Sequence, residues 1–196
     1  MRILITGATG QVGRKVVENL KSDSSLEVIA AVRSKKKGES LGVQFVELDL
    51  DRIETFAPAL QGIDRVFLMT GYTVDMMRQS KVFLDEAAKA NVRHVVHLGA
   101  CGDDEATVAH WVWHQLVERY IEWRGFSFTH LRPEQFMQNL LGYSGKPTVV
   151  NGVIEQYFGQ ARLSWVDCED VAEVAAVSLR DAKAHNGQTY RMGYDA

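Results

Sequence analysis

An apolar run at residues 2–6 passes without a break into Gly7-Ala8-Thr9-Gly10-Gln11-Val12-Gly13, and a helix-period segment begins at Gln11. Three glycines at this spacing, between a strand and a helix, serve a backbone that turns tightly and must be approached closely, because glycine lacks the Cβ that blocks both. The first amides of a helix are free of intrahelical partners, and the helix dipole favours an anion beside them. A GxxGxxG pattern is weak by itself. At the first strand-to-helix turn it marks a place where a pyrophosphate can lie against the backbone.

The rest of the chain repeats that rhythm. Residues 2–6, 27–32, 43–48, 64–70, 94–99 and 127–131 are rich in Val, Ile, Leu and Phe, as strands covered on both faces should be. Helix-period segments at 11–22, 52–59, 73–90, 105–124 and 170–180 separate them, with Gly62, Asn91 and Gly125 closing helices, and a last strand is expected at 188–192. This alternation predicts an α/β fold with a doubly wound parallel sheet, a Rossmann fold, in a single domain over residues 1–196. Residues 133–165 break the rhythm, with Gly142, Gly145, Pro147, Gly152 and Gly159 spread along them, and are expected to form an irregular excursion on the substrate side. Asp170 is expected to cap the last long helix.

Composition narrows the functions available. The 196 residues carry 22 basic and 25 acidic side chains, a formal charge of -3, and the concentrated basic run is Lys35-Lys36-Lys37, read as wet loop charge. Direct nucleic-acid binding is not expected from such a balance. No apolar run reaches the roughly 18 residues of a membrane span, and no signal-peptide layout precedes the first strand. A cytoplasmic protein with two reduced thiols, Cys101 and Cys168, is the expectation, with no metal site.

Where the second strand ends, about 20 residues after a glycine loop, NAD-binding folds place an acidic residue on the ribose hydroxyls. This chain has Ala31-Val32-Arg33-Ser34-Lys35 there. A guanidinium can hold a 2′-phosphate through paired hydrogen bonds, which favours NADP(H) and makes NAD(H) the lesser alternative.

Six stretches in order, "MRILITGATGQVGRKVVENL", "AVRS", "VELDLDR", "HVVHLGA", "FTHLRPEQFMQN" and "WVDCEDVAEVAA", resemble the NmrA-like group of atypical short-chain dehydrogenases, which includes NADPH-dependent reductases and cofactor-sensing regulators. The resemblance implies a Rossmann domain with a short C-terminal substrate portion. It places Gly7, Thr9, Gly10, Gln11, Val12 and Gly13 at the phosphates, Arg33 at the 2′-phosphate, and Asp49 and Leu50 by the adenine. Asp49 reads equally well as a helix cap. Thr70 and Gly71 fall near the ribose and Gly99 and Ala100 on the nicotinamide side. Phe136, Met137 and Asn139 are candidates for the substrate pocket, although core packing is the simpler reading of Phe136 and Met137.

The stretch His110-Trp111-Val112-Trp113-His114 stands where such enzymes carry a Tyr-xxx-Lys pair, with His110 at the tyrosine and His114 at the lysine. Residues four apart on a helix share a face, about 40° from each other. HWVWH lacks the HExxH glutamate, and His94, His97, His130 and His185 show no ligand-like spacing with it. An imidazole titrating at about 6.5 could deliver a proton after hydride transfer, which makes His114 and His110 the catalytic candidates. Glu118 could orient His114, or be a surface charge. Tyr120 is read as packing.

The leading expectation is an NADPH-dependent reductase of a small aromatic or quinone-like acceptor, working without the Tyr-xxx-Lys pair. The alternative is a non-catalytic NADP(H)-sensing protein that signals to a protein partner. The sequence given stops soon after residue 192, where relatives usually continue, so either the pocket is small and open or another subunit completes it, and a homodimer is a further expectation.

Overall fold

The computed structural model describes residues 1–142, 149–154 and 159–193. Its elements run β1 (Arg2–Ile5), α1 (Gln11–Leu20), β2 (Glu27–Val32), α2 (Lys35–Glu39), β3 (Gln44–Glu47), a 3-10 turn (Ile53–Thr55), α3 (Phe56–Leu60), β4 (Arg65–Leu68) and α4 (Met76–Lys89). They continue with β5 (His94–Leu98), α5 (Ala109–Trp123), β6 (Ser127–Pro133), β7 (Gln135–Phe136), a second 3-10 turn (Met137–Leu140), β8 (Val149–Val150) and β9 (Val153–Ile154). The chain then forms β10 (Trp165–Val166), α6 (Cys168–Arg180), α7 (Ala182–His185) and β11 (Gln188–Met192).

Seven strands form one parallel sheet in the order β11-β6-β5-β4-β1-β2-β3. This is the doubly wound Rossmann arrangement that the alternating sequence predicts. Alternate residues of each strand face opposite layers. Ile3, Ile5, Phe67, Val96 and Leu98 join α1 and α6 in one core, while Leu4, Val66, Leu68 and Val95 join α3, α4 and α5 in the other. Asn91 (φ 60) and Gly125 (φ 81) turn left-handed to end α4 and α5, as their positions in the sequence imply.

Among the differences from expectation, three have a local cause. The Lys35 to Lys37 run belongs to a short helix, α2, whose Gly38 lies against the Phe45 ring; a Cβ there would stand 2.6 Å from Phe45 Cγ. Helix α5 starts at Ala109 rather than 105, because the Asp103 carboxylate accepts the Glu105 N–H and holds a local turn. Helix α6 is capped by Asp167, which accepts from the Glu169 N–H, and not by Asp170. Within the expected excursion, β8 and β9 form a small antiparallel hairpin and β7 pairs with β10; Gly145 and Pro147 lie outside the described residues. No described helix is long and apolar enough to cross a membrane.

Candidate functional site

The turns that follow β1 to β4 enclose a cleft of about 350 Å³ along the carboxyl edge of the sheet. Its walls include Gly7, Thr9, Gly10, Arg33, Asp49, Leu50, Thr70 and Gly71, which brings together eight of the thirteen positions expected to hold a dinucleotide. Gly7 has φ 61, a conformation that glycine tolerates, and its carbonyl accepts the Gly10 N–H at 2.8 Å. Gly10 begins α1 with no side-chain cap and no acidic residue in the first turn, so nothing in that turn competes with an anion. A larger, shallower groove of about 880 Å³ lies around Gly62, Asn91 and Gly125, at the amino ends of β4, β5 and β6. Ligands of open α/β sheets sit at the other edge.

The remaining five positions do not line this cleft. Val12 is buried in the α1–α6 layer, and Gly13 lies under the loop, where a Cβ would stand 2.2 Å from the Gly7 oxygen. Gln11 reaches Cys168, with Oε1 3.6 Å from Sγ. Gly99 is buried beside Glu118, and a Cβ on it would meet Glu118 Oε1 at 3.2 Å; Ala100 follows it. The Asp49 carboxylate accepts the Asp51 N–H, a local turn rather than a helix cap.

Several cleft residues had no signature in the sequence. Thr6 Oγ1 accepts the Met69 N–H at 2.7 Å and lies 3.0 Å from the Phe67 carbonyl, clamping β1 to β4 beneath the glycine loop. Asp51, on the rim, accepts from Gln79 Nε2 at 2.8 Å and from Arg78 at 3.0 Å. The Gln79 bond, with the Arg78 and Arg33 charges, holds the Asp51 carboxyl below its ordinary range. Thr70 Oγ1 is buried in the wall without a hydrogen-bond partner among the described residues. An unpaired buried hydroxyl costs stability unless a ligand satisfies it. A dinucleotide therefore fits the residues present: backbone amides for phosphate, a hydroxyl for the sugar, and the exposed Arg33 guanidinium at the lip.

Helix α5 carries the histidine pair from this cleft into the core. His110 is partly exposed and stacks obliquely on Tyr72, 62% exposed, with ring centroids 5.1 Å apart. Tyr72 lies between Gly71 and Thr73, which line the cleft. One turn deeper, His114 Nδ1 is 3.4 Å from Nε2 of His97 on β5. His97 is fully buried and is paired in register with His130 on β6, and those rings meet edge-on at 5.9 Å. The sheet thus gathers histidines whose spacing in sequence gives no hint of proximity.

Burial, with the charge of His110 adding to it, pushes His114 down to about 4. The expected titration at about 6.5 is therefore corrected: at neutral pH His114 is an uncharged imidazole, able to donate one N–H but not to begin as imidazolium. Burial, reinforced by His114, His130 and Arg132, holds His97 well below the ordinary histidine value too.

Glu118 is not a surface charge. It is 1% exposed and grips the Arg132 guanidinium with both oxygens, the shortest contact being 2.6 Å, while Arg132 Nη1 donates to the Gly102 carbonyl. His97, Glu118 and His130 offer ligand atoms within 4.8 Å of one another. Both Glu118 oxygens are engaged by a guanidinium whose positive charge opposes a dication, so Glu118 reads as one half of a charge-paired strut to Arg132, joining α5 to β6, rather than as a metal ligand. Tyr120 packs on the α5 side and donates to Asp85 at 2.6 Å.

Phe136 is half-buried against the core, but Met137 is 46% exposed, which overturns its core-packing reading. Met137 lines a second cleft of about 380 Å³ with Leu163, Trp165, Asp167 and Asp170. Asn139, in the same 3-10 turn, is half-buried. Gln138 fixes this turn to the start of α6 by donating to Asp167 and accepting the Cys168 N–H.

The parallel order of the sheet and the glycine-lined cleft at its carboxyl edge define a Rossmann-type domain. The chain belongs to the NmrA-like family, which it matches from residue 1 to 196. It is 31% identical over 194 residues to the NAD(P)H azoreductase of Xenophilus azovorans, a match that covers 96% of this chain and 66% of that protein. Its fold is similar to that of the Citrobacter sp. triphenylmethane reductase complexed with NADP(H), with a TM-score of 0.88 and 24% identity over 100% of this chain and 70% of that one. The NADPH-dependent quinone oxidoreductase of Escherichia coli complexed with NADPH gives a TM-score of 0.83 and 25% identity, again over 100% and 70%. The chain therefore spans about two thirds of the azoreductase's length, at 66%.

Proposed function

We propose that the chain binds NADP(H) along the carboxyl edge of β1 to β5 and reduces a small aromatic or quinone-like acceptor beside it. The observation that carries this reading is the cleft. A left-handed Gly7, the uncapped start of α1, the Thr70 hydroxyl, unpartnered among the described residues, and the Arg33 guanidinium all meet in one hollow. Gly7, Thr9 and Gly10 would hold the pyrophosphate, with Gln11, Val12 and Gly13 shaping the helix start. Arg33 would hold the 2′-phosphate, Asp49 and Leu50 the adenine, and Thr70 and Gly71 the ribose. The acceptor class is supported by the azo and quinone reductions for which a 31% identical and a 25% identical relative are named.

NADPH, when bound, supplies the hydride. The chain supplies orientation and one neutral donor. His114, uncharged at neutral pH, would donate a hydrogen bond toward the acceptor oxygen as negative charge develops there, much as a neutral imidazole polarises a carbonyl. His110 and Tyr72 would flank the same mouth and exclude water. No tyrosine–lysine pair is needed in this scheme, because reduction of such acceptors depends mainly on alignment.

Separate titrations with NADPH and NADH, followed by loss of nicotinamide absorbance against quinones, azo dyes and aldehydes, test the reading. Preference for NADPH with turnover of quinones or dyes is expected. Tight NADPH binding without turnover across the panel would transfer the protein to the sensor class, and equal affinity for NADH would remove Arg33 from the 2′-phosphate.

A further inference from the structure

His114 leans on a residue that the scheme above does not use. His97 Nε2 lies 3.4 Å from His114 Nδ1, with the two rings tilted 42° at 5.4 Å, while the other nitrogen of His97, Nδ1, is buried without a partner among the described residues. His130 repeats the pattern: Nε2 lies 3.3 Å from Glu122 Oε1, and Nδ1 is buried without a partner among the described residues. A carboxylate only accepts, so the His130 proton belongs on Nε2 and a lone pair is left at Nδ1.

The same choice can be made for His97. A neutral imidazole has one N–H and one lone pair. If the proton sat on Nδ1, a donor would be stranded in the core, its positive end in the field of Arg132, whose charge already opposes added positive charge on this ring. With the proton on Nε2, only a lone pair is stranded, and the N–H makes the bond to His114 that the geometry offers it. Among the described residues, the charged and titratable groups around the ring are His114 and Glu118 from α5 and His130 and Arg132 from β6, and none of them places a donor on His97 Nδ1.

We propose that His97 donates its Nε2 proton to His114 Nδ1 and thereby locks His114 in the tautomer that carries its own proton on Nε2, the one nitrogen left to serve an acceptor. His97 is then a positioning residue for the reduction, acting through His114, and its catalytic consequence rests on the reading above. A partner that fixes the tautomer of a metal-ligating histidine is typically worth about 10- to 100-fold in affinity or activity, and a loss of the same order is expected here.

Nitrogen-resolved NMR of ¹⁵N-histidine-labelled protein with NADPH present decides the matter, with His114 assigned by loss of its signals in His114→Gln. The expected spectrum shows His114 protonated on Nε2 and bare on Nδ1. His97→Phe should lose that single tautomer and lower kcat about 10- to 100-fold without changing NADPH affinity, and His97→Gln, whose side-chain amide can donate in its place, should recover part of both. Wild-type His114 protonated on Nδ1 would overturn the proposal, as would a spectrum unchanged in His97→Phe. The wild-type spectrum suffices if His97→Phe does not fold. If the wild type reduces no acceptor, the reductase reading fails while the spectra still decide the role of His97.

Discussion

Glu118 and Arg132 meet in a two-oxygen, two-nitrogen clasp, 2.6 Å at its shortest, although Glu118 is 1% exposed and Arg132 only 13%. The clasp fastens the middle of α5 to the end of β6, and the Gly102 carbonyl on Arg132 Nη1 brings in the loop after β5. All three segments converge around the histidine pair. The position of His114 therefore depends on a charge pair that was invisible as such in the sequence.

Breaking one half of a buried pair strands the other charge. Glu118→Gln should destabilise the fold by about 3–5 kcal/mol, whereas replacing both partners with apolar residues of similar volume should recover much of the loss. Urea denaturation measures both. A loss below about 1 kcal/mol for the single variant would mean that the pair is solvated and weak.

His94 and His114 are each held down to about 4, chiefly by burial. Between about 6.5 and 4 the unfolded chain binds protons that the folded chain refuses, so stability should fall as the pH drops through that window. The loss should approach about 3 kcal/mol for each histidine. Above about pH 7 both states are neutral and these residues contribute no slope. Asp64, whose carboxyl is held low mainly by the Arg2 N–H, adds its own loss only as pH falls below the ordinary carboxylate range. Denaturation midpoints across pH 4 to 7 should therefore slope in the wild type and slope less steeply in a His94→Gln, His114→Gln double variant, where the buried His97 and His130, also held low, keep part of the slope; equal slopes in both would contradict the burial of these rings.

Arg33→Ala should weaken NADPH by about 10- to 100-fold and leave NADH nearly unchanged, since a charge-assisted hydrogen bond contributes about 1.5–3 kcal/mol. The ratio of the two dissociation constants is the readout. Parallel losses for both cofactors would point to a structural role for Arg33 instead.

His114→Ala should lower kcat for quinone reduction by about 100-fold or more, the range of a donor acting in the transition state, with a smaller change in NADPH affinity. An unchanged profile would return His114 to packing.

The sheet was legible because parallel strands buried on both faces are near-continuous apolar runs, and the glycine loop could be placed because it follows the first of them. Arg33, Asp49, Leu50, Thr70 and Gly71 were legible for the same reason: each stands at or just beyond the carboxyl end of a strand. What could not be read depended on register. His97 and His130 are thirty-three residues apart and meet because β5 and β6 pair them directly across the sheet. Glu118 looked like a helix surface charge because nothing local to α5 reveals that Arg132 lies above it. The Asp51–Gln79 bond, between the turn after β3 and helix α4, is likewise a product of tertiary placement. The ordinary histidine titration failed for the same cause, since the shift at His114 arises from burial that only the packed helix produces.

The most direct test of the proposed activity is an anaerobic stoichiometry: NADPH mixed with the protein and a limiting quinone or azo dye, with NADP and reduced acceptor both quantified. Each quinone reduced is expected to consume one NADPH, and turnover is expected to be lost when NADH replaces NADPH at low concentration. NADPH that stays bound and unoxidised in the presence of every acceptor would contradict it.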